Sequence, residues 1–344
     1  MWHGIEGHDE IAAEFETALA RGRLASTFLF LGPAGIGKRT FAVKLAQMLL
    51  CQAKTACGTC DSCVQVTAGS HPDLLRVSKP EDKATIPLEL LIGGDEHRMR
   101  EGLLYELGLK PFMGGRRIAV IDDADHFKVE GANALLKTLE EPPPQAMLIL
   151  IGTSAERQLP TIRSRSQIIR FRPLEPAIVE RLLLSTGAVD DPAEARRLSL
   201  HCEGSLERAM ELADPELWTF RARLLQHAAA PHKKSAAFAA ELSEFVDQAG
   251  KEAAQRRDRL RLVVGFAADL YREMLRRQCG APSSSDAELA QAATHALAGW
   301  PANQELTAAS LDRCVETLNQ IDRNANQSNL IECWLDDLSE ARMA

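Results

Sequence analysis

The stretch FLFLGPAGIGKRTFAVKLAQ, Phe28 to Gln47, leaves this chain few folds to choose from. Its opening apolar run needs a strand buried on both faces, and the residues from Lys38 onward repeat their apolar positions at helical spacing. Between the two, Gly32, Gly35 and Gly37 allow the backbone to curl until its N–H groups converge on one anion. A buried strand feeding a helix through such a turn is the opening unit of a parallel sheet covered by helices. The letters follow the phosphate loop G-x-x-x-x-G-K-[ST], with Lys38 set to reach terminal phosphates, except that Arg39 stands where a hydroxyl would hold Mg²⁺. Thr40, the next residue, is turned about 100° around the helix, so its hydroxyl is expected to miss the metal.

The same grammar continues to about Phe171. STFLFLG (Ser26 to Gly32), RRIAVIDDAD (Arg116 to Asp125), AMLILIGTS (Ala146 to Ser154) and SQIIRF (Ser166 to Phe171) read as buried strands. Lys38 to Leu50 and Gly131 to Glu140 read as helices, the second stopped by Pro142, Pro143 and Pro144. After Pro173 no further strand is expected. Three short helix candidates follow, Glu175 to Gly187, Asp191 to Gly204 and Ser205 to Asp214, and then longer Ala- and Leu-rich segments such as Glu252 to Gln278 and Leu306 to Ile321. PSSS, Pro282 to Ser285, is the obvious loop among them. A length of 344 residues exceeds what one core usually holds. The expected division is an α/β domain over 1–172, a small helical domain over 173–213 and an all-helical domain over 214–344.

An acidic strand end completes the phosphate site: Asp122 at the tip of IAVIDDADHF can hold Mg²⁺ through water, and Asp123 follows where a longer Glu would position an attacking water. Asp122, Asp123 and Asp125 can alternatively do no more than cap the next turn. Downstream of the phosphate-loop helix, CQAKTACGTCDSC spaces Cys51, Cys57, Cys60 and Cys63 as C-x5-C-x2-C-x2-C. Four thiolates close a tetrahedral Zn²⁺ site with no open position, which is a structural role. An iron–sulfur cluster also takes four cysteines, but the C-P element of bacterial ferredoxins is missing, and four metal-free thiols are the third possibility.

A net charge of −8 argues against a chain that wraps nucleic acid over its whole surface. Trp2, Trp218, Trp300 and Trp334 sit in no basic run and are read as packing residues, not base-stacking platforms. Met1-Trp2-His3-Gly4 lacks the basic stretch and apolar run of a secretory signal, and no apolar segment approaches the ~20 residues of a membrane span, so a cytoplasmic chain is expected.

Taken with SHPDL (Ser70 to Leu74), NALLKTLEEPP (Asn133 to Pro143) and LPTIRSRSQ (Leu159 to Gln167), the phosphate loop and its cysteine run resemble the bacterial DNA polymerase III clamp-loader family of AAA+ proteins. The likeness is strong to about residue 213 and rests on helical character beyond it. It implies a RecA-like α/β domain with a zinc module at 51–63, a three-helix lid and a C-terminal helical collar through which subunits assemble. The implied partners are the gamma/tau and delta subunits, and through the assembly the sliding clamp and primer-template DNA.

The family's S-R-C motif, which presents an arginine finger to ATP on a neighbouring subunit, corresponds to Ser164-Arg165-Ser166, with Arg163 as the fallback finger. A lid arginine in the pattern G-S-x-R corresponds to Gly204-Ser205-Leu206-Glu207, so a carboxylate stands where the arginine belongs and Arg208 is shifted by one. The strand-end polar residue that senses phosphate maps to Thr153 or Ser154. With Arg39, Asp123 and Glu207 each removing a group that hydrolysis needs and Arg165 retained, the resemblance implies a stator-type subunit that acts in trans with weak or no hydrolysis of its own, and ATP/Mg²⁺ becomes a doubtful ligand. Two other readings stay open: an ATP-hydrolysing motor subunit that depends on Lys38 and Asp122, and a zinc-containing DNA-binding protein on a vestigial ATPase fold.

Overall fold

The computed structural model describes residue 2 and residues 4–80, 82–113, 115–230, 235–284, 286–299 and 303–340. Trp300 and Ser285 of the sequence reading, with Met1 and His3, lie outside them. The chain divides into two compact units, Met1–Ala213 and Asp214–Ala344.

In chain order the first unit runs α1 (Asp9–Ala20), β1 (Thr27–Leu31), α2 (Lys38–Leu50), α3 (Asp61–Ala68), β2 (Leu74–Val77), α4 (Leu88–Ile92), α5 (Leu103–Leu107), β3 (Arg117–Ile121), α6 (Val129–Glu140), β4 (Ala146–Gly152), α7 (Pro160–Arg163), β5 (Gln167–Arg170), α8 (Pro176–Ser185), α9 (Pro192–His201) and α10 (Leu206–Glu211). The strands form one parallel sheet in the order β2-β3-β4-β1-β5. Successive side chains alternate between its faces. Phe28, Phe30, Ile118, Val120, Ile149 and Ile151 pack with Phe15 of α1 and Phe41 of α2, whereas Leu29, Leu31, Ala119, Ile121, Leu148 and Leu150 pack with Leu91, Leu104 and Leu135 of α4, α5 and α6. Both faces are covered, which is why these strands read as unbroken apolar runs.

The four strands read from sequence are present, but the second of them, RRIAVIDDAD, is shorter than expected. β3 stops at Ile121, and Asp122 to Asp125 leave the sheet through a turn in which Asp123 is left-handed, with φ 57°. β2 escapes a reading by pattern because LLRV is short and carries Arg76 on a partly exposed face. It begins at Leu74, the last residue of SHPDL, whose role here is structural. The fully buried Asp73 carboxylate accepts from Phe112 N at 2.7 Å and Met113 N at 2.9 Å and meets Arg117 at 3.5 Å. His71 Nδ1 accepts from Asp73 N at 3.1 Å. Asp73→Asn keeps one acceptor but loses the charge, and is expected to cost about 2 kcal/mol, a fall of about 6 °C in the melting temperature of this unit. Thermal unfolding of the variant checks this; an unchanged midpoint would show that the turn at 110–113 does not need the carboxylate.

α8, α9 and α10 start where the sequence places breakers and caps. Pro176 and Pro192 occupy the first helical turns, Asp191 accepts from Ala193 N at 3.0 Å, and Ser205 accepts from Arg208 N at 3.2 Å.

The second unit is helical throughout its described residues: α11 (Pro215–Ala229), α12 (Ser235–Asp247), α13 (Ala253–Gln278), α14 (Ala287–Gly299), α15 (Gln304–Asp322) and α16 (Gln327–Glu340). The long α13 is central, packing on α11, α12, α14 and α15. Phe220 stacks on Phe245 at 4.2 Å, and the buried Arg221 pairs with Asp286 and, at 2.6 Å, with Glu288. Trp2 and Trp334 are buried and Trp218 lies under Arg221, all in packed surroundings. Among the described residues no helix is long and apolar enough to cross a membrane.

Candidate functional site

The carboxyl ends of β1, β3 and β4 bring together the loop Gly32 to Lys38, the turn Asp122 to Asp125 and Thr153, the rim where parallel sheets hold ligands. Gly35 and Gly37 have φ of 71° and 93°, which side chains resist. At Gly35 there is a second reason: a Cβ there would come within 2.1 Å of Ser205 Oγ and 2.6 Å of Glu207 Cβ. Leu206 N donates to Gly35 O at 3.0 Å, so the start of α10 is fastened directly to the loop. From the other side His8, buried and lowered in pKa chiefly by that burial, bonds Ile36 O through Nε2 at 2.7 Å. A neutral ring with its proton on Nε2 satisfies that carbonyl.

The cations of the loop are already engaged. Lys38, buried, donates its ammonium to Gly32 O at 2.6 Å and to Pro33 O. Burial lowers its pKa, against the pull of Asp122, Asp125, Glu207 and Asp123. Arg39 Nε lies 3.7 Å from Asp122 Oδ2. With the Arg39 side chain 64% exposed the pair adds little stability; its consequence is positional, because a guanidinium stands beside the one carboxylate that would hold Mg²⁺. Burial, and then the neighbouring Asp123, raise the Asp122 pKa, while Arg39 and Lys38 oppose them.

The remaining candidates are placed as follows. Asp123 turns its carboxylate to Lys79 N at 3.3 Å. Thr153 gives both its N–H, at 2.7 Å, and its hydroxyl, at 2.6 Å, to Asp125, which also accepts from Gln158. Asp125 thus ties the turn after β3 to the segment that follows β4 and does not cap its own turn. Thr40 is exposed, with no side-chain hydrogen bond among the described residues. Glu207 lies in the field of Lys38, and Arg208 pairs instead with Glu203 at 3.2 Å. Mg²⁺ does not fit this set: no hydroxyl follows Lys38, the acidic ligand faces a guanidinium, and Glu207 adds negative charge where phosphate would lie.

Arg165 follows α7 and precedes β5. Its Nε and NH2 meet Glu140 Oε1 at 2.8 and 2.6 Å, and NH1 donates to Thr161 O and Ser164 Oγ, each at 3.2 Å. A third of the side chain stays exposed. Arg163, at the end of α7, is exposed and makes no ion pair among the described residues.

The four cysteines converge. Cys51 Sγ lies 3.7 Å from Cys57 and 3.9 Å from Cys60, Cys57 lies 4.0 Å from Cys63, and all four sulfurs fall within 4.8 Å of one another. A tetrahedron with Zn–S bonds of ~2.3 Å has edges of about 3.8 Å, so the cluster can hold one such ion, whereas a four-iron cube would spread the cysteines apart. Cys51 caps α2 at its C-terminus, Cys60 caps α3 at its N-terminus, and Cys63 lies in the first turn of α3. Burial pushes the Cys51 thiol up, but N–H groups of Cys57, Thr55 and Ala53 outweigh it and hold the pKa at about 5, favouring thiolate.

Three contributors to these sites carry no signal that spacing could reveal: His8 and Asp125 support the loop and the sheet rim, and Glu140 supports Arg165. Only NALLKTLEEPP, as a family motif, marks Glu140 at all.

Comparisons with known proteins match the part of the chain that carries these residues. A family model described as DNA polymerase III, delta subunit, matches residues 7–175. A DNA polymerase III subunit delta' of Pseudomonas aeruginosa is 39% identical over 178 residues, 51% of each chain. A gamma/tau subunit of Mycobacterium tuberculosis is 34% identical over 199 residues, 55% of this chain and 32% of that one. A delta' subunit of Bacillus subtilis is 29% identical over 212 residues, 61% of this chain and 60% of that one. In each case the match spans less than two thirds of the relative's length. Residues 7–175, which hold the phosphate loop, the cysteine cluster and the SRS turn, match the DNA polymerase III delta-subunit family model, and the relatives named here are clamp-loader subunits over that same part of the chain.

Proposed function

We propose that this chain is a delta-prime-type stator of the clamp loader, assembling through its second unit with gamma/tau and delta subunits to place a sliding clamp on primed DNA. In this reading residues 173–213 are the lid, 214–344 the collar, and the site of action cytoplasmic. Arg165 completes the ATP site of a neighbouring gamma/tau subunit, while the chain's own phosphate loop hydrolyses nothing. Cys51, Cys57, Cys60 and Cys63 hold one structural Zn²⁺. The observation that carries the reading is Arg39 beside Asp122: the charge a metal would bring to that carboxylate is supplied by the chain itself.

The direct attachment of α10 to Gly35 supports a static role, because the contact between loop and lid does not depend on a bound phosphate. The identity to a gamma/tau subunit favours a second reading, a motor in which Lys38 acts in cis. The two separate in a loader reconstituted with clamp and primer-template DNA. Lys38→Ala in this chain is expected to leave ATP turnover within about twofold of wild type, since Lys38 serves its own loop carbonyls. A loss of tenfold or more, with assembly intact, would establish the motor reading instead.

A further inference from the structure

We infer that Glu140 is the positioning residue for Arg165: it fixes the pose in which the guanidinium meets the neighbouring subunit's ATP. The inference rests on the in-trans reading above. Glu140 is the last residue of α6, with Glu141 at the cap and Pro142 to Pro144 ending the helix. A carboxylate in the last turn faces the negative end of the helix dipole, so nothing local favours it there. An ion pair this exposed, with Glu140 at 51%, is also worth little to the fold. A residue that breaks the local rule without a stability gain needs another explanation.

The contacts of Arg165 supply it. Glu140 takes the Nε–NH2 edge of the guanidinium, and Thr161 O and Ser164 Oγ take NH1, so the planar group is held from two sides while part of it remains open to an incoming partner. Holding a charge-stabilising group in place before the reaction is where much of its catalytic value lies. Pro142 to Pro144 stop the helix from continuing past Glu140, which sets the carboxylate at the end of α6.

The test uses the reconstituted loader, with clamp and primer-template DNA at saturation, carrying Glu140→Ala, Glu140→Gln, Arg165→Ala or Glu140→Ala with Arg165→Ala. Glu140→Ala is expected to lower kcat about tenfold with the KM for ATP unchanged. Glu140→Gln, which keeps an acceptor oxygen, is expected to recover part of the loss. In the Arg165→Ala background Glu140→Ala is expected to do nothing further, and the melting temperature of the chain should not move. A kcat equal to or above wild type in Glu140→Ala overturns the inference, the faster case making Glu140 a restraint on Arg165. An equal loss in both backgrounds overturns it too, because Glu140 would then act without Arg165. If Arg165→Ala itself leaves turnover intact, the in-trans reading fails, and this inference with it.

Discussion

Arg165→Ala in this chain is expected to slow hydrolysis at the neighbouring subunit's ATP site by roughly 10³-fold, the lower end of what an arginine finger contributes. The chemistry sets the size. Phosphoryl transfer spreads negative charge over the transferred group, and a guanidinium in a water-poor interface meets that charge with its positive charge and with the Nη2 N–H that Glu140, Thr161 and Ser164 leave open. Arg165→Lys keeps the charge but loses the fork, so it should recover only a small part of the rate. Single-turnover hydrolysis in the assembled loader is the measurement, because it reads the chemical step apart from product release. ATP affinity should change far less than the rate, since the effect lies in the transition state. A single-turnover rate within threefold of wild type, with a normally assembled complex, would exclude the finger role.

In the in-trans reading proposed above, the asymmetry between the two arginines is what lets one fold lose its own site and keep an effect on another. Arg39 and Arg165 are both partly exposed, and both pair with a carboxylate. The difference lies in which carboxylate. Asp122 is the carboxylate at the phosphate loop, so Arg39 takes the place a metal would need there; Glu140 lies outside that loop, and in the in-trans reading its pairing orients Arg165 while a third of the side chain stays exposed. Lys38 follows the same logic as Arg39, with its ammonium turned onto Gly32 O and Pro33 O.

Much of this architecture is legible in the sequence, and the exceptions share a cause. β1, β3 and β4 are readable because both their faces are buried, so period and composition agree. The departure at Arg39 is readable because the phosphate loop fixes position by position what each residue must do. β2 is not, since four residues with Arg76 among them match no template. The end of β3 is overrun for a related reason: Asp122 and Asp123 continue the run in sequence, and only the left-handed backbone at Asp123 shows that the sheet has ended. Asp73, His8 and Glu140 lie deeper still. Each acts through a partner distant in the chain, and no pairing of that kind is written in local spacing.

Cys60→Ser is expected to release the metal and lower the melting temperature of the first unit by more than about 10 °C. The loop that carries the cysteines cannot hold itself. Gln52 to Thr55 are exposed, and so are Gly58 and Thr59. Lys54 and Ala56 stand at positive φ, 55° and 47°, a conformation that costs about 1 kcal/mol or more at each non-glycine residue. Ala56 packs against the core of the unit, but in the zinc reading proposed above the larger offset comes from the bonds to the ion, since structural zinc supplies on the order of 10 kcal/mol of apparent binding energy. The loss will not stay in the loop. Gln47 of α2 donates to Cys63 O and to Thr67 Oγ1, each at 3.1 Å, and Val66 of α3 is part of the core that contains Phe41. Freeing Cys60 therefore loosens α3 against the helix that begins at Lys38. Elemental analysis should find about one zinc per wild-type chain and none in the variant, with the melting temperature falling in step; a metal-free wild-type chain that melts where the zinc-loaded one does would show that four thiols alone hold the loop.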